Sequence, residues 1–428
     1  MRATDSENRA QGKKGQDVPS ILSKRKLLPG DRVLWVIVIL FFSISLVAVY
    51  TASSQLGFRE GTIDVELQRH FTTLCISGAI LFSCYLIGAS TMLRSSRFIY
   101  AFALFLTIAP YFIGGTTNNA HRWLDLGFFR FQPSELLKIG TIMLLAARLS
   151  AQHHRIKSIH LLPTTLNIRK WKDNAHERDI IKNEVMPIVL PIFLSCVVIL
   201  PAHSSSAIHI FLVSLLLLFI AGIRFKEIAK LSLTALFFGV VMLFTVGRGD
   251  TVVNRLKSWS GSETVDNNNN KEGSKDAYYS RMAIQNGGVF GVGAGRSIMR
   301  TNLMHPESDY LFAIVVEEFG LLLAGVIILL YLWIFFRALR IFERCEWLYP
   351  GLIVVGLALL VTSQGFLHIG VTLGILPETG QNLPFLTHGR TGMFCASIAV
   401  GLILSISRQV EQGTLTPPTT KKSKNKLL

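Results

Sequence analysis

Three groups of ionisable side chains interrupt long apolar runs of this chain, and charges in such surroundings are costly enough to mark function by default. The first extends from Arg122-Trp123 to Gln132-Pro133-Ser134-Glu135 and Lys138. Proline suits the first turn of a helix, and Ser134 and Glu135 favour that turn. Glu135 and Lys138 are three residues apart, so they share a helix face and can pair. Such a pair either locks helices together or presents charge to a polar substrate. The second group, Pro306-Glu307-Ser308-Asp309-Tyr310, leads into an apolar run that contains Glu317 and Glu318. A carboxylate at a water–lipid boundary can accept a proton. Asp309 equally suits a helix N-cap. Glu317 and Glu318 are expected to pair with Lys138 or to satisfy helix contacts. The third group runs from Pro377-Glu378-Thr379-Gly380-Gln381 through Pro384-Phe385 to Thr387-His388-Gly389-Arg390. Its prolines and glycines predict a structured loop. Thr379, Gln381 and Arg390 can hold phosphate or sugar there, or Arg390 can simply snorkel.

The elements that position these groups follow from composition. Half of the 428 residues are hydrophobic and 16% are charged, against about a quarter charged in an ordinary soluble domain. Crossing the hydrocarbon core takes about 20 apolar residues, and lipid leaves only helices or closed barrels as solutions. Continuous apolar runs favour helices, since barrel strands alternate. The fold expected is all-α and polytopic, with about ten transmembrane helices at 33–53, 71–91, 97–114, 132–150, 185–201, 204–222, 226–246, 308–336, 349–370 and 387–407. Residues 1–32 are read as a disordered basic tail, 33–410 as one membrane domain, and 411–428 as a second basic tail. No signal peptide is expected, because a polar stretch of about thirty residues precedes the first apolar run.

Lys and Arg in alternate loops orient the chain. Arg94, Arg97, Arg155, Lys157, Arg169, Lys170, Lys172, Arg224, Lys226, Lys230, Arg337, Arg340 and Arg344 fall on one side with both tails, which is read as cytoplasmic. The 247–307 segment between spans seven and eight is then a large external loop. Around 261–276 it reads as a flexible insert, and 278–300 as a short interfacial helix followed by tight glycine-rich backbone. The net charge of +16 would suggest nucleic acid in a soluble protein. Here it fits basic loops meeting anionic lipid, and no nucleic-acid partner is expected. The five cysteines show no Cys-x-x-Cys spacing and predict neither disulfide nor metal thiolate. No metal constellation is visible, His153-His154 reads as a polar loop pair, and Gly293-Ala294-Gly295 follows no strand, so no nucleotide site is expected. No internal repeat supports an inverted-repeat transporter.

The motifs, in this order, resemble the SEDS family, the shape, elongation, division and sporulation proteins typified by FtsW and RodA. The resemblance covers about residues 30–410. It is carried by Arg122-Trp123 with Gln132-Pro133-Ser134-Glu135-Leu136-Leu137-Lys138, Gly287-Gly288-Val289-Phe290-Gly291-Val292-Gly293, Pro306 to Glu318, and Gly370-Val371 through Leu376-Pro377 and Thr379-Gly380 to Leu383-Pro384-Phe385. The first span looks closer to the FtsW branch, of the Bacteroidetes type, than to RodA. The resemblance implies a peptidoglycan glycosyltransferase acting on lipid II, a disaccharide-pentapeptide on undecaprenyl diphosphate, in septal wall synthesis at the cytoplasmic membrane. Asp309 matches the family's catalytic aspartate. It would deprotonate the 4-hydroxyl of the acceptor sugar. Gln132, Glu135, Lys138, Arg122, Glu307, Thr379 and Arg390 would contact substrate. The diphosphate leaving group would draw positive charge from Arg122, Lys138, Arg390 or a divalent cation, Mg or Mn, with no nucleotide. Implied partners are a class B penicillin-binding transpeptidase and other division membrane proteins.

The chain departs from the family in three places. Glu307-Ser308-Asp309 stands for His-Thr-Asp, Pro201-Ala202-His203-Ser204 for Gln-Pro-Asp, and Thr387-His388-Gly389-Arg390 for a closing Ser-Tyr-Gly-Gly. The last puts Arg390 where a small residue is usual. Two other functions compete with polymerisation. Glu135, Lys138, Glu317 and Glu318 would suit the polar pathway of a lipid II flippase, and the outer helix faces would suit a scaffold that recruits a transpeptidase.

Overall fold

The computed structural model describes residues 28–60, 63–113, 123–125, 127, 130–158, 161, 183, 185–245, 249–259, 272–303, 308–387 and 389–415. Within these, α1 is Arg32–Glu60, α2 Ile63–Leu86, α3 Ala89–Ile108, α4 Pro133–Ala151, α5 Met186–Ile199, α6 Ser204–Ile220 and α7 Phe225–Thr245. Then come α8 Gly249–Trp259, α9 Glu272–Gly287, α10 Leu311–Glu343, α11 Leu348–Thr372 and α12 Arg390–Glu411. A two-stranded antiparallel hairpin, β1 Leu124–Asp125 and β2 Arg130–Phe131, precedes α4. Each expected span falls on a helix. Among the described residues five helices are long and apolar enough to cross a membrane by length and composition alone, and α5 and α6 are shorter apolar helices. The apolar faces of α1, α7 and α10 point outward, with Val36, Phe237 and Leu329 exposed, as lipid-facing helices require. α10 supplies the largest share of the buried core, followed by α11, α12 and α4.

The bundle has two polar ends. At one, Asp31 accepts from the N–H groups of Val33 (2.9 Å) and Leu34 (3.4 Å), capping α1. Its other oxygen pairs with Arg337 of α10 at 2.5 Å, and its own N–H donates to Ser407 of α12 at 2.9 Å. Tyr85 donates to the Pro29 carbonyl at 2.8 Å. The disordered tail expected over 1–32 is therefore corrected at its last residues: Pro29 to Arg32 are tied to three helices. At the opposite end lie the hairpin, α8, α9, the start of α10 and the loop joining α11 to α12.

Two span boundaries shift. α2 begins earlier than residue 71 and stops at Leu86, and α3 starts at Ala89, so Arg94 and Arg97 lie in α3 instead of in a loop. The reason is amphipathic spacing. Met92, Ser96 and Tyr100 recur every four residues on the buried face, and Arg94 and Arg97 occupy the exposed face. The 261–276 insert is also corrected: residues from Glu272 onward belong to α9, and residues 260–271 lie outside the described residues.

The glycine-rich segment is spliced into α10. Gly320 inside α10 has φ +77°, which breaks the helix. Leu321 and Leu322 would otherwise donate to the carbonyls of Glu317 and Glu318, four residues back. Instead they donate to the carbonyls of Gly288 (3.0 Å) and Val289 (3.4 Å), and the freed carbonyls accept from Val292 (2.9 Å) and Gly293 (3.0 Å). Two helical bonds are exchanged for four bonds to a separate segment. A Cβ at Gly291 would overlap the Glu318 carbonyl, and one at Gly320 the Val289 carbonyl. Only glycine allows this approach together with these positive φ values.

Candidate active site

Ser308, Asp309 and Tyr310 form the turn that enters α10. Asp309 is half-buried, and the expected N-cap role is corrected: the N-cap is Tyr310, and no side chain caps α10. The helix begins one residue further on than capping by Asp309 would require. Among the described residues Asp309 makes no hydrogen bond or ion pair, so its carboxylate is left for other work. Its charge acts on Tyr310, Glu378 and His368.

Tyr310 is buried and its hydroxyl donates to Glu378 Oε1 at 3.2 Å. Burial raises the Tyr310 hydroxyl far above the ordinary range, and the charges of Glu378, Asp276 and Asp309 add to this, so it stays a donor. Burial likewise raises the Glu378 carboxyl; the Tyr310 bond and Arg255 oppose the rise, and Asp276 and Asp309 add to it. Arg255 of α8 donates to the Glu378 carbonyl (3.3 Å), Trp259 to the Gly374 carbonyl (3.0 Å), and Ser280 of α9 to the Thr372 carbonyl (2.9 Å). The two helices of the long loop thus hold the 373–378 turn against Asp309.

On the other flank the hairpin docks on α12. Gln132 N–H donates to Thr391 Oγ1 at 3.2 Å, and that hydroxyl donates to the Arg130 carbonyl at 3.3 Å. The Gln132 amide turns inward to Ser134 at 3.2 Å. Arg390 is the first residue of α12, with Gly389 as N-cap. A cation at the positive end of a helix is unfavourable by about 0.3–1 kcal/mol unless an anion joins it. Arg122, Glu307 and His388 lie outside the described residues.

Glu135 and Lys138 do pair, at 2.8 Å, but deep inside the bundle. Lys138 is 0% exposed and also donates to Gln364 Oε1 at 3.1 Å. The pair borders a small cavity lined by Glu135, Gln364, Pro384 and Cys395. The expectation that Glu317 or Glu318 pairs with Lys138 is corrected. Glu317 accepts from Ser297, from Ile298 N–H (3.3 Å) and from Asn286 (3.4 Å), and Glu318 lies 3.7 Å from Arg300. Burial lowers the Arg300 guanidinium, opposed by both glutamates. The helix break turns these side chains toward the spliced loop, not toward α4.

Sequence reasoning missed a polar cluster between the first turn of α6 and the loop before α12. Gln381 Nε2 donates to Ser206 Oγ at 2.9 Å, and Ser205 Oγ donates to the Thr379 carbonyl at 2.8 Å. His203 bonds Ser206, and His368 Nδ1 lies 2.7 Å from the Gln381 carbonyl. His203 stands in sequence only as part of Pro201-Ala202-His203-Ser204, and His368 sits in an apolar helix with no neighbouring charge to mark it. Among the described residues no three His, Cys, Asp or Glu side chains converge to hold a metal ion.

The sequence model of the cell cycle protein family FtsW/RodA/SpoVE matches residues 31–412. A probable peptidoglycan glycosyltransferase FtsW of Neisseria gonorrhoeae is 27% identical over 421 residues, covering 92% of this chain and 89% of that one. Stage V sporulation protein E of Bacillus subtilis is 26% identical over 402 residues, covering 90% and 99%. Among solved structures, a chain of a peptidoglycan synthase complex that coordinates polymerization and crosslinking superposes with TM-score 0.67 at 18% identity, covering 89% of this chain and 98% of that one. The rod shape determining protein RodA of Thermus thermophilus superposes with TM-score 0.57 at 18% identity, covering 90% and 98%.

Proposed function

The chain belongs to the FtsW/RodA/SpoVE family of cell cycle proteins, and we infer from that premise that it is a peptidoglycan glycosyltransferase polymerising lipid II into glycan strands at the outer face of the cytoplasmic membrane, with both termini cytoplasmic. The observation that carries the reading is Asp309, a half-buried carboxylate at the mouth of α10 that neither caps the helix nor pairs with a described residue. Asp309 takes the proton of the acceptor sugar's 4-hydroxyl. That oxygen forms the new bond to the anomeric carbon of the donor glycan, and the bond from that carbon to the undecaprenyl diphosphate breaks.

The leaving diphosphate needs counter-charge. Arg390 at the N-terminus of α12 is suited to supply it, because guanidinium and helix dipole both favour an anion there. Arg122 would add to it. A divalent cation, Mg or Mn, would arrive with the diphosphate, since the described side chains build no three-ligand site for one. Thr379 and Gln132 face the same end, and Glu307 is proposed to join them. Glu135 and Lys138 reach substrate only if their cavity opens. The proposed partners are a class B penicillin-binding transpeptidase, an arrangement supported by the fold shared with a chain of a peptidoglycan synthase complex, and other division membrane proteins. Labelled lipid II supplied to the purified chain with its transpeptidase tests the reading: glycan strands should form with the wild type and fail to form with Asp309→Ala. A flippase or scaffold would not depend on that carboxylate.

A further inference from the structure

The polar cluster between α6 and the loop before α12 has an unbalanced set of open valences. Gln381 is 3% exposed, and its Nε2 donates to Ser206 (2.9 Å) and approaches Ser205 (3.5 Å). This fixes the amide orientation and leaves Oε1 as an acceptor with no donor among the described residues. His368 is 2% exposed, and its Nδ1 lies 2.7 Å from the Gln381 carbonyl, which can only accept. The proton therefore sits on Nδ1, and Nε2 presents a lone pair that meets no donor among the described residues. Thr379 Oγ1 is a third buried polar atom without a partner among the described residues. Its own carbonyl is already taken by Ser205.

Buried polar atoms left unmet cost about 1–3 kcal/mol each, so a cluster of three calls for a ligand. Two of the three can only accept, and the threonine hydroxyl can do either. Phosphate oxygens are acceptors and cannot satisfy them. Hydroxyl and amide N–H groups can. Tyr310, the residue after Asp309, bonds Glu378, the residue before Thr379, at 3.2 Å, so chain neighbours of the cluster and of the proposed base meet at this end of the bundle.

We propose that Thr379, Gln381 and His368 form a sugar subsite that accepts hydrogen bonds from hydroxyl and acetamido N–H groups of the glycan whose hydroxyl faces Asp309. This rests on the glycosyltransferase reading. Ser205, Ser206 and His203 hold the subsite's orientation from α6. The site selects a donor-rich carbohydrate surface and leaves the diphosphate to the opposite flank at Arg390.

Thr379→Val is the informative variant, because it keeps the shape and removes only a hydroxyl that makes no bond to a described residue. In the purified complex with its transpeptidase, initial polymerisation rates are measured against lipid II concentration, together with the thermal midpoint. The subsite predicts that KM rises about fivefold for loss of one hydrogen bond, with kcat and the midpoint held. His368→Phe should raise KM further. Wild-type KM in Thr379→Val would overturn the subsite, and so would a lowered midpoint with unchanged KM, which would mean that the hydroxyl only anchors a buried water. Asp309→Ala separates the two claims. If wild type polymerises, Asp309→Ala does not, and Thr379→Val has wild-type KM, the subsite falls and the glycosyltransferase reading stands. No glycan from the wild type removes both.

Discussion

Lys138→Met tests whether the charges inside the bundle hold the fold together. Lys138 Nζ lies 2.8 Å from Glu135 Oε2 and 3.1 Å from Gln364 Oε1, and it is fully buried. Removing it leaves Glu135 as an uncompensated buried charge, which costs about 3–5 kcal/mol. Gln364 Oε1 also loses its donor, for about 1–3 kcal/mol more, although the two penalties share one site and will not add fully. The double variant Glu135→Leu/Lys138→Met removes the charge altogether. Only the orphaned amide of Gln364 then remains, so the double variant should be more stable than Lys138→Met alone. Thermal unfolding of the detergent-solubilised chain, followed by loss of soluble monomer, reads both. The single variant should lose most of its stability and the double variant should recover much of it. If the penalties simply add, or if Lys138→Met is neutral, the ion pair does not carry the structural weight assigned to it.

Three other outcomes follow from the geometry. Gly320→Ala forces a side chain into a positive-φ position against the Val289 carbonyl, so it should destabilise by about 2–5 kcal/mol and free the 288–293 backbone for hydrogen exchange. Asp31→Ala should cost more than Asp31→Asn, since asparagine keeps the cap worth about 1 kcal/mol while both lose the charge facing Arg337; equal midpoints for the two variants would refute the cap. Glu378 has a pKa raised by burial, so folding favours its protonated form. That contribution is full below the unfolded carboxylate range and is lost as pH rises through the raised value. Glu378→Gln, which keeps an acceptor for Tyr310, should therefore raise the thermal midpoint at pH 8 and change it little at pH 4; a gain confined to acid pH would reverse the sign.

The helices were legible because lipid demands long apolar runs, and each expected span meets one. The Glu135–Lys138 pair was legible from spacing alone, because residues three apart on a helix face are neighbours whatever surrounds them. Its depth was not, since burial depends on α11 bringing Gln364 across. The splice was hidden for a similar reason. Gly288 and Gly320 are far apart in sequence, and nothing local says that one segment completes the hydrogen bonds of the other. Asp309 was ambiguous because capping and catalysis favour the same residue type. A one-residue difference in where α10 starts decides between them. Gln381 was legible as a group able to hold phosphate or sugar, whereas His368 gave no signal, because an isolated polar side chain in an apolar helix usually meets an ordinary partner. Their meaning lies in which of their atoms are left over.

The central claim is that one carboxylate at the mouth of α10 does the chemistry. It is tested most directly by glycan polymerisation from labelled lipid II by the purified complex, comparing wild type with Asp309→Asn, a near-isosteric change that keeps the turn but removes the base. The account predicts strands from the wild type and none above background from Asp309→Asn, with equal thermal midpoints and equal retention of the transpeptidase. Strands of normal length and rate from Asp309→Asn would contradict it.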